Sequence, residues 1–240
     1  MRKGQRRVIE ERGLRVGRAA GVLILAGAVC ALLGLPGAPA SGAAWSRHIL
    51  IQSGARTGNL GTGKFLVARR GLPSPVFAQS VIFLTHYDRK GAMGLIVNRP
   101  TDVPLSRALR EIPGSQARED FLYEGGPVEN RGVLALLRSR ASVEDAQHVV
   151  GDVYLIASKA LLEKTLANRP LPSAFRVYLG YSGWGPGQLE REMEFGSWHV
   201  LDPGAGAAFD KDPETLWSRL IQLTELQIAQ ARHGGGSPAS

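Results

Sequence analysis

With 240 residues and 44% hydrophobic side chains, the chain has an ordinary globular composition and enough apolar mass for one generous domain or two small ones. Its net charge of +8 and pI near 10.1 resemble those of a nucleic-acid binder, yet the 18 residues of the leader carry +5 and everything after them only +3. A domain of +3 offers no large basic field for phosphates, so nucleic acid is excluded as a partner.

The leader comes first along the chain. Seven basic residues from Arg2 to Arg18 are followed by AAGVLILAGAVCALLGL over 19–35, an uncharged apolar run of 17 residues, roughly 26 Å as a helix. Ala38 and Ala40 sit at the small-residue positions of an export cleavage site, which would make Ser41 the new N-terminus; a cut after Ala43 also fits. Residues 1–43 are therefore expected to be a signal peptide, or else an anchor held in the membrane through 19–35. Both readings leave the arginines in the cytoplasm and place the domain in the periplasm or on the outer face of the cytoplasmic membrane. The one cysteine, Cys30, lies inside the run, and Val29 before it is not the small residue that lipidation needs. Cleavage would leave no thiol, which excludes disulfides, cysteine nucleophiles and thiolate metal sites.

Residues 44–63 end in the glycine-rich SGARTGNLGTG and read as a linker, 64–230 as the domain, and 231–240 as a disordered tail. KFLVA (64–68) reads as a strand, and SVIFLTHY (80–87) and AMGLIVN (92–98) as a hairpin around DRKG. VPLSRALREI (103–112) has helical spacing. FLYEG (121–125) and GVLALLRS (132–139) are predicted strands around the turn GPVENR. VYLIAS (153–158) is a strand whose Ser158 caps the helix KALLEKTLANR. FRVYLGY (175–181) is the last predicted strand, and a clear helix begins with Asp212 as cap and Pro213 in its first position. Strands outnumber helices without sustained βαβ alternation, which points to a single α+β domain on a mainly antiparallel or mixed sheet.

GYSGWGPGQLE (180–190) is the most conspicuous stretch. A phosphate cradle would need a basic residue, whereas Glu190 and Glu192 here satisfy the helix N-terminus and repel an anion. Ser182 lacks the full G-x-S-x-G elbow of a hydrolase, because Trp184 stands two residues after it. What remains is a tight turn with Trp184 packed over it, or a pocket in which Trp184 is a stacking wall and Gln188 a hydrogen-bonding group. His86 ends one strand of the hairpin and Asn98 the other, so both could face the same rim. Glu124, Asn130 and Arg131 surround Gly125-Gly126-Pro127 as a further candidate, or as a turn with a surface ion pair. No H-x-x-x-H pair is present, and neither a metal nor a cofactor is expected.

Four segments in order, FLVARRGLPSPVFAQSVIFL, GAMGLIVNRP, YEGGPVENRG and LGYSGWGPGQLEREM, closely resemble the YqgE/AlgH family of bacterial proteins over about Lys64 to Leu226. The resemblance implies a bifurcated sheet that includes a small closed barrel, flanked by helices. It supplies no mechanism, since the family's activity is not established; a role in regulating transcription has been proposed for some members. Many members carry a cysteine and a glutamate around the histidine that ends the second strand, whereas Leu84-Thr85-His86-Tyr87 stands here, so thiol chemistry does not transfer. Typical members look cytoplasmic, and the leader departs from that pattern, which disfavours a transcriptional regulator. The expected function is a non-catalytic ligand-binding or regulatory domain in the envelope. Its candidate pocket is lined by His86, Asn98, Trp184 and Gln188, and its partner is a small molecule or protein. The alternative is a hydrolase or transferase using the same rim.

Overall fold

The structure, a computed structural model, describes residues 60–234. The leader of 1–43, Cys30, the linker up to residue 59 and the tail from residue 235 lie outside the described residues.

Ten strands form one sheet with the order β10-β1-β2-β3-β9-β6-β8-β7, and β4 and β5 branch from β9. The strands are β1 (Phe65–Ala68), β2 (Val81–Asp88), β3 (Gly91–Ile96), β4 (Pro100–Pro104), β5 (Phe121–Glu124), β6 (Val128–Arg138), β7 (Gln147–Val150), β8 (Val153–Ile156), β9 (Phe175–Trp184) and β10 (Trp198–Leu201). Among the described residues four α-helices accompany them: α1 (Leu105–Ala108), α2 (Lys159–Ala167), α3 (Gln188–Glu194) and α4 (Pro213–Gly234), the last running into the segment expected to be tail. A short 3₁₀ turn, Ala205–Phe209, precedes α4. Every pairing is antiparallel except β5 with β9. Among the described residues no helix is long and apolar enough to cross a membrane.

Apolar runs such as VIFL are buried at every position because both faces of the sheet are covered. On one face Phe65, Val67, Phe83 and Leu95 meet Leu136, Val153, Leu155 and Tyr178 from the other half of the sheet, with Phe209, Leu216, Leu220 and Ile221 filling the end. Alternate residues of β1–β3, among them Leu66, Ile82 and Ile96, pack outward with Leu189 and Met193 of α3. Their counterparts in β6 and β9, Ala135, Phe175 and Val177, pack outward with Leu105, Leu162 and Leu166. One interior shared by both halves requires the sheet to bend round on itself.

The bend stops short of a closed barrel, which corrects that expectation: the path ends at β10 and β7, and no ladder joins them. β7 nevertheless comes back to β2, where the Gln147 Nε2 donates to the Thr85 carbonyl at 2.8 Å. Thr85 is the bulge of β2, between the paired Leu84 and His86, so its carbonyl is released from the ladder. A side chain closes what a strand pair would close in a barrel.

The predicted hairpin of β2 and β3 forms as read. β5 and β6 do not pair with each other. β5 instead lies parallel to β9, while β6 starts at Val128 and absorbs the expected turn as a bulge with Glu129 at φ 46. The helix expected over 103–112 shrinks to α1, because the Ser115 Oγ reaches back to the Leu109 and Ile112 carbonyls and folds the rest into turns.

Candidate functional site

GYSGWGPGQLE continues β9 as far as Trp184 and then starts α3. Trp184 is 3% exposed, stacked on Phe77 at 6.3 Å and edge-on to Trp198. Its indole N–H donates to Glu192 Oε2 at 2.9 Å, and the Trp198 indole donates to the same oxygen at 2.8 Å. Gln188 accepts from the Gly185 N–H at 3.1 Å and donates to Glu192 Oε1 at 3.1 Å. Gly187 caps α3 in the left-handed region, at φ 69, where a side chain would be strained. Ser182 is fully buried, with its Oγ donating to the Gly125 carbonyl at 3.3 Å, which leaves it no access to a substrate. The polar groups of Ser182, Trp184 and Gln188 are thus used within the fold.

The other candidates go to separate places. His86 stands opposite Met93, and Met93 opposite Gly183, so these three share the face turned to the common interior. Trp184 stands opposite Ala92 on the other face, together with Tyr87, whose hydroxyl donates to Glu190 at 2.7 Å. Successive residues of a strand point to opposite sides, so His86 and the Trp184–Gln188 pair do not share a rim.

Asn98 lies at the far end of the hairpin, since the end of β3 runs alongside the start of β2. It is 7% exposed: its Oδ1 accepts from the Val81 N–H at 2.7 Å and its Nδ2 donates to the Gln79 carbonyl at 3.0 Å. It pins the loop before β2 and lines no pocket with His86. Glu124 is exposed and faces Arg99 at 4.0 Å, while Arg131 is exposed on the bulge of β6.

Glycines bring two of the sequence motifs together in space. The sheet branches where Gly125 and Gly126 cross Gly180 and Tyr181. A Cβ on Gly125 would fall 2.2 Å from the Gly180 carbonyl oxygen, and one on Gly126 would fall 2.3 Å from the Tyr181 carbonyl carbon. Two backbones meet there with no room for side chains.

Of the candidates, His86 keeps an exposed titratable neighbour, at the mouth where β7 comes back to β2. The His86 Nε2 lies 3.2 Å from Asp88 Oδ2. Asp88 is held below the usual carboxylate range, first by the Lys90 N–H and then by His86. Gln147 reaches Thr85 from β7 beside them, and Met93 and Tyr181 border the interior below. Burial pushes the Tyr181 hydroxyl up, and the Glu129 carboxylate adds to it. Sequence reading missed Gln147 because the fold, not spacing, brings it to Thr85 beside His86. This mouth can donate and accept hydrogen bonds through an imidazole oriented by a carboxylate. Among the described residues no group of three or more His, Cys, Asp or Glu could hold a metal ion.

A bent, branched, mostly antiparallel sheet with helices on its outer faces, whose glycine-rich segments serve its own packing, defines the class of domain. A family model described as AlgH-like matches residues 65–229, and the chain belongs to that family. It is 33% identical over 177 residues to a UPF0301 protein of Streptomyces avermitilis, covering 70% of this chain and 89% of that one. A UPF0301 protein of Vibrio vulnificus is 31% identical, covering 73% and 97%. The solution structure of AlgH from Pseudomonas aeruginosa matches with a TM-score of 0.57 and 26% identity over 74% of this chain and 95% of that one. A crystal structure from Corynebacterium diphtheriae, at 22% identity and a TM-score of 0.54 over 69% of this chain and 87% of that one, shares the fold.

Proposed function

We propose that this AlgH-like domain is a non-catalytic binding or regulatory module that works outside the cytoplasm, and that its ligand engages the mouth around His86. The observation that carries this reading is the division of the candidate residues. Trp184, Asn98 and Ser182 are buried with their hydrogen-bonding groups satisfied, and Gln188 spends its amide on Gly185 and Glu192, whereas His86 and Asp88 keep side chains 50% and 43% exposed. A hydrolase or transferase built on a His86–Trp184–Gln188 rim loses its support, because those residues lie on opposite faces of the sheet. The arginine-flanked apolar run at 19–35 supports export or anchoring. The exported protein, screened by thermal shift against small metabolites and peptides, is expected to give hits that are bound and recovered unchanged. Consumption of a hit would favour an enzyme instead.

A further inference from the structure

Gly183, in the glycine-rich stretch, is a glycine that the fold does not require. Its φ lies outside the left-handed region, and the atoms nearest to a Cβ there would be Tyr181 Cε2 at 3.2 Å and Tyr181 Cδ2 and Val128 Cγ2 at 3.7 Å, none of them backbone. Gly180 differs, with φ 69 and a Cβ that would fall 2.5 Å from the Gly126 carbonyl oxygen. The ladder with β3 runs through Gly183 without a shift, so it is no bulge. A glycine inside a strand packs no side chain and loses the most backbone entropy, and its other use is to let a molecule come close to the main chain. Gly183 is exposed, between the buried Ser182 and Trp184. It stands opposite Met93, and Met93 opposite the exposed His86, in a row across β9, β3 and β2, about 10 Å from end to end. Half-buried Tyr181 and Met93 border it, one along the strand and one across it.

We propose that the ligand engaged by His86 carries a flat aromatic ring that lies over Gly183 against Tyr181 and Met93, and a hydrogen-bond donor that reaches the imidazole. This rests on the reading that His86 meets the ligand, and adds the ligand's chemical class. A bare main chain lets a ring settle where a side chain would lift it away. The Tyr181 ring offers an aromatic partner, and the Met93 thioether favours the edge of a ring. The polarity of the substituent follows from Asp88. His86 Nε2 faces Asp88 Oδ2 at 3.2 Å, and in a neutral imidazole that donates through Nε2 the other nitrogen, Nδ1, is an acceptor. An amide or hydroxyl on the ring supplies the donor.

The test is a titration of the exported protein with benzamide, followed by the backbone amide NMR signals. Benzamide is expected to move the signals of His86, Met93 and Gly183 saturably, and cyclohexanecarboxamide, of the same size but not flat, to bind about tenfold more weakly. Gly183→Ala is expected to melt as high as wild type, since a Cβ meets only side chains there, and to lose the response to benzamide; Tyr181→Leu, which removes the flat wall, is expected to weaken it too. Absence of a saturable response overturns the proposal, as do equal affinities for the two amides and a Gly183→Ala variant that binds benzamide as wild type does. A Gly183→Ala variant that melts far below wild type also overturns it, because the fold would then need the glycine. Unchanged benzamide binding in His86→Ala would detach the ring from His86 and overturn it as well. Hits from the metabolite screen that need His86 but carry no ring would sink the ring and leave the binding role of His86 standing.

Discussion

Glu192 does more for the glycine-rich segment than any residue within it. One carboxylate oxygen takes two indole N–H groups, and the other takes the Gln188 amide. Glu192→Ala leaves two largely buried donors without an acceptor and is expected to cost about 2 to 3 kcal/mol in urea unfolding. Gln188→Ala loses an exposed capping contact and should cost under about 1 kcal/mol; equal losses for the two variants would contradict this reading. Tyr87 makes a sharper probe. Burial first, and then the bond to Glu190, push its hydroxyl up to about 12. A raised folded pKa means that the stability it contributes is present below the free phenol value of about 10 and lost as pH rises through the folded one. Glu190→Gln should move the phenolate transition down without reaching the free value, because burial is the larger cause; ultraviolet titration reads it.

At the scale of elements, long apolar stretches were legible in the sequence and short polar ones were not. β2, β3, β8 and β9 announced themselves as buried runs, and Ser158 capped α2 as read, accepting from the Leu161 N–H at 3.3 Å. β7 and β10 have four residues each, with histidine inside and no alternation of burial, so no period marked them. β4 begins and ends with proline, which argues against a strand unless it has a free edge, and β4 pairs only with β5. The shared rim of His86 and Asn98 failed for a topological reason: in a hairpin the ends of the two strands lie at opposite ends. GPVENR looked like a turn because a bulge with positive φ draws on the same residue types. The branch at Gly125, Gly126 and Gly180 carries its own expectation. Gly126→Ala places a Cβ against the Tyr181 backbone at φ 151, and should cost more than about 3 kcal/mol or prevent folding. A mild effect on the melting temperature would mean that the crossing backbones can separate.

For the whole molecule, acid and location are the informative variables. Asp202 and Glu225 are held below the usual carboxylate range by Lys64 and Arg70. Burial pushes Asp210 up, but the bonds from Arg219 and the Asp212 N–H, with the charges of Arg219 and Arg176, outweigh it and leave it lowered. Depressed carboxylates add stability above their unfolded pKa of about 4 and lose it as pH falls through the folded value. The melting temperature should therefore drop below about pH 4, and less steeply in Asp210→Asn, because Asp210 is the most buried of the three and least screened. Fusing residues 1–60 to a reporter active only outside the cytoplasm should give signal, and Leu23→Arg with Leu25→Arg should abolish it, at roughly 2.5 to 3.5 kcal/mol per charge in the membrane. The central claim, that the glycine-rich motif serves the fold while the mouth around His86 meets the ligand, is tested most directly by one comparison. Hits from the thermal-shift screen are measured again on His86→Ala and Gln188→Ala. The account predicts that Gln188→Ala keeps the full ligand-induced shift and His86→Ala loses it. Loss of the shift in Gln188→Ala, with His86→Ala behaving as wild type, would contradict it.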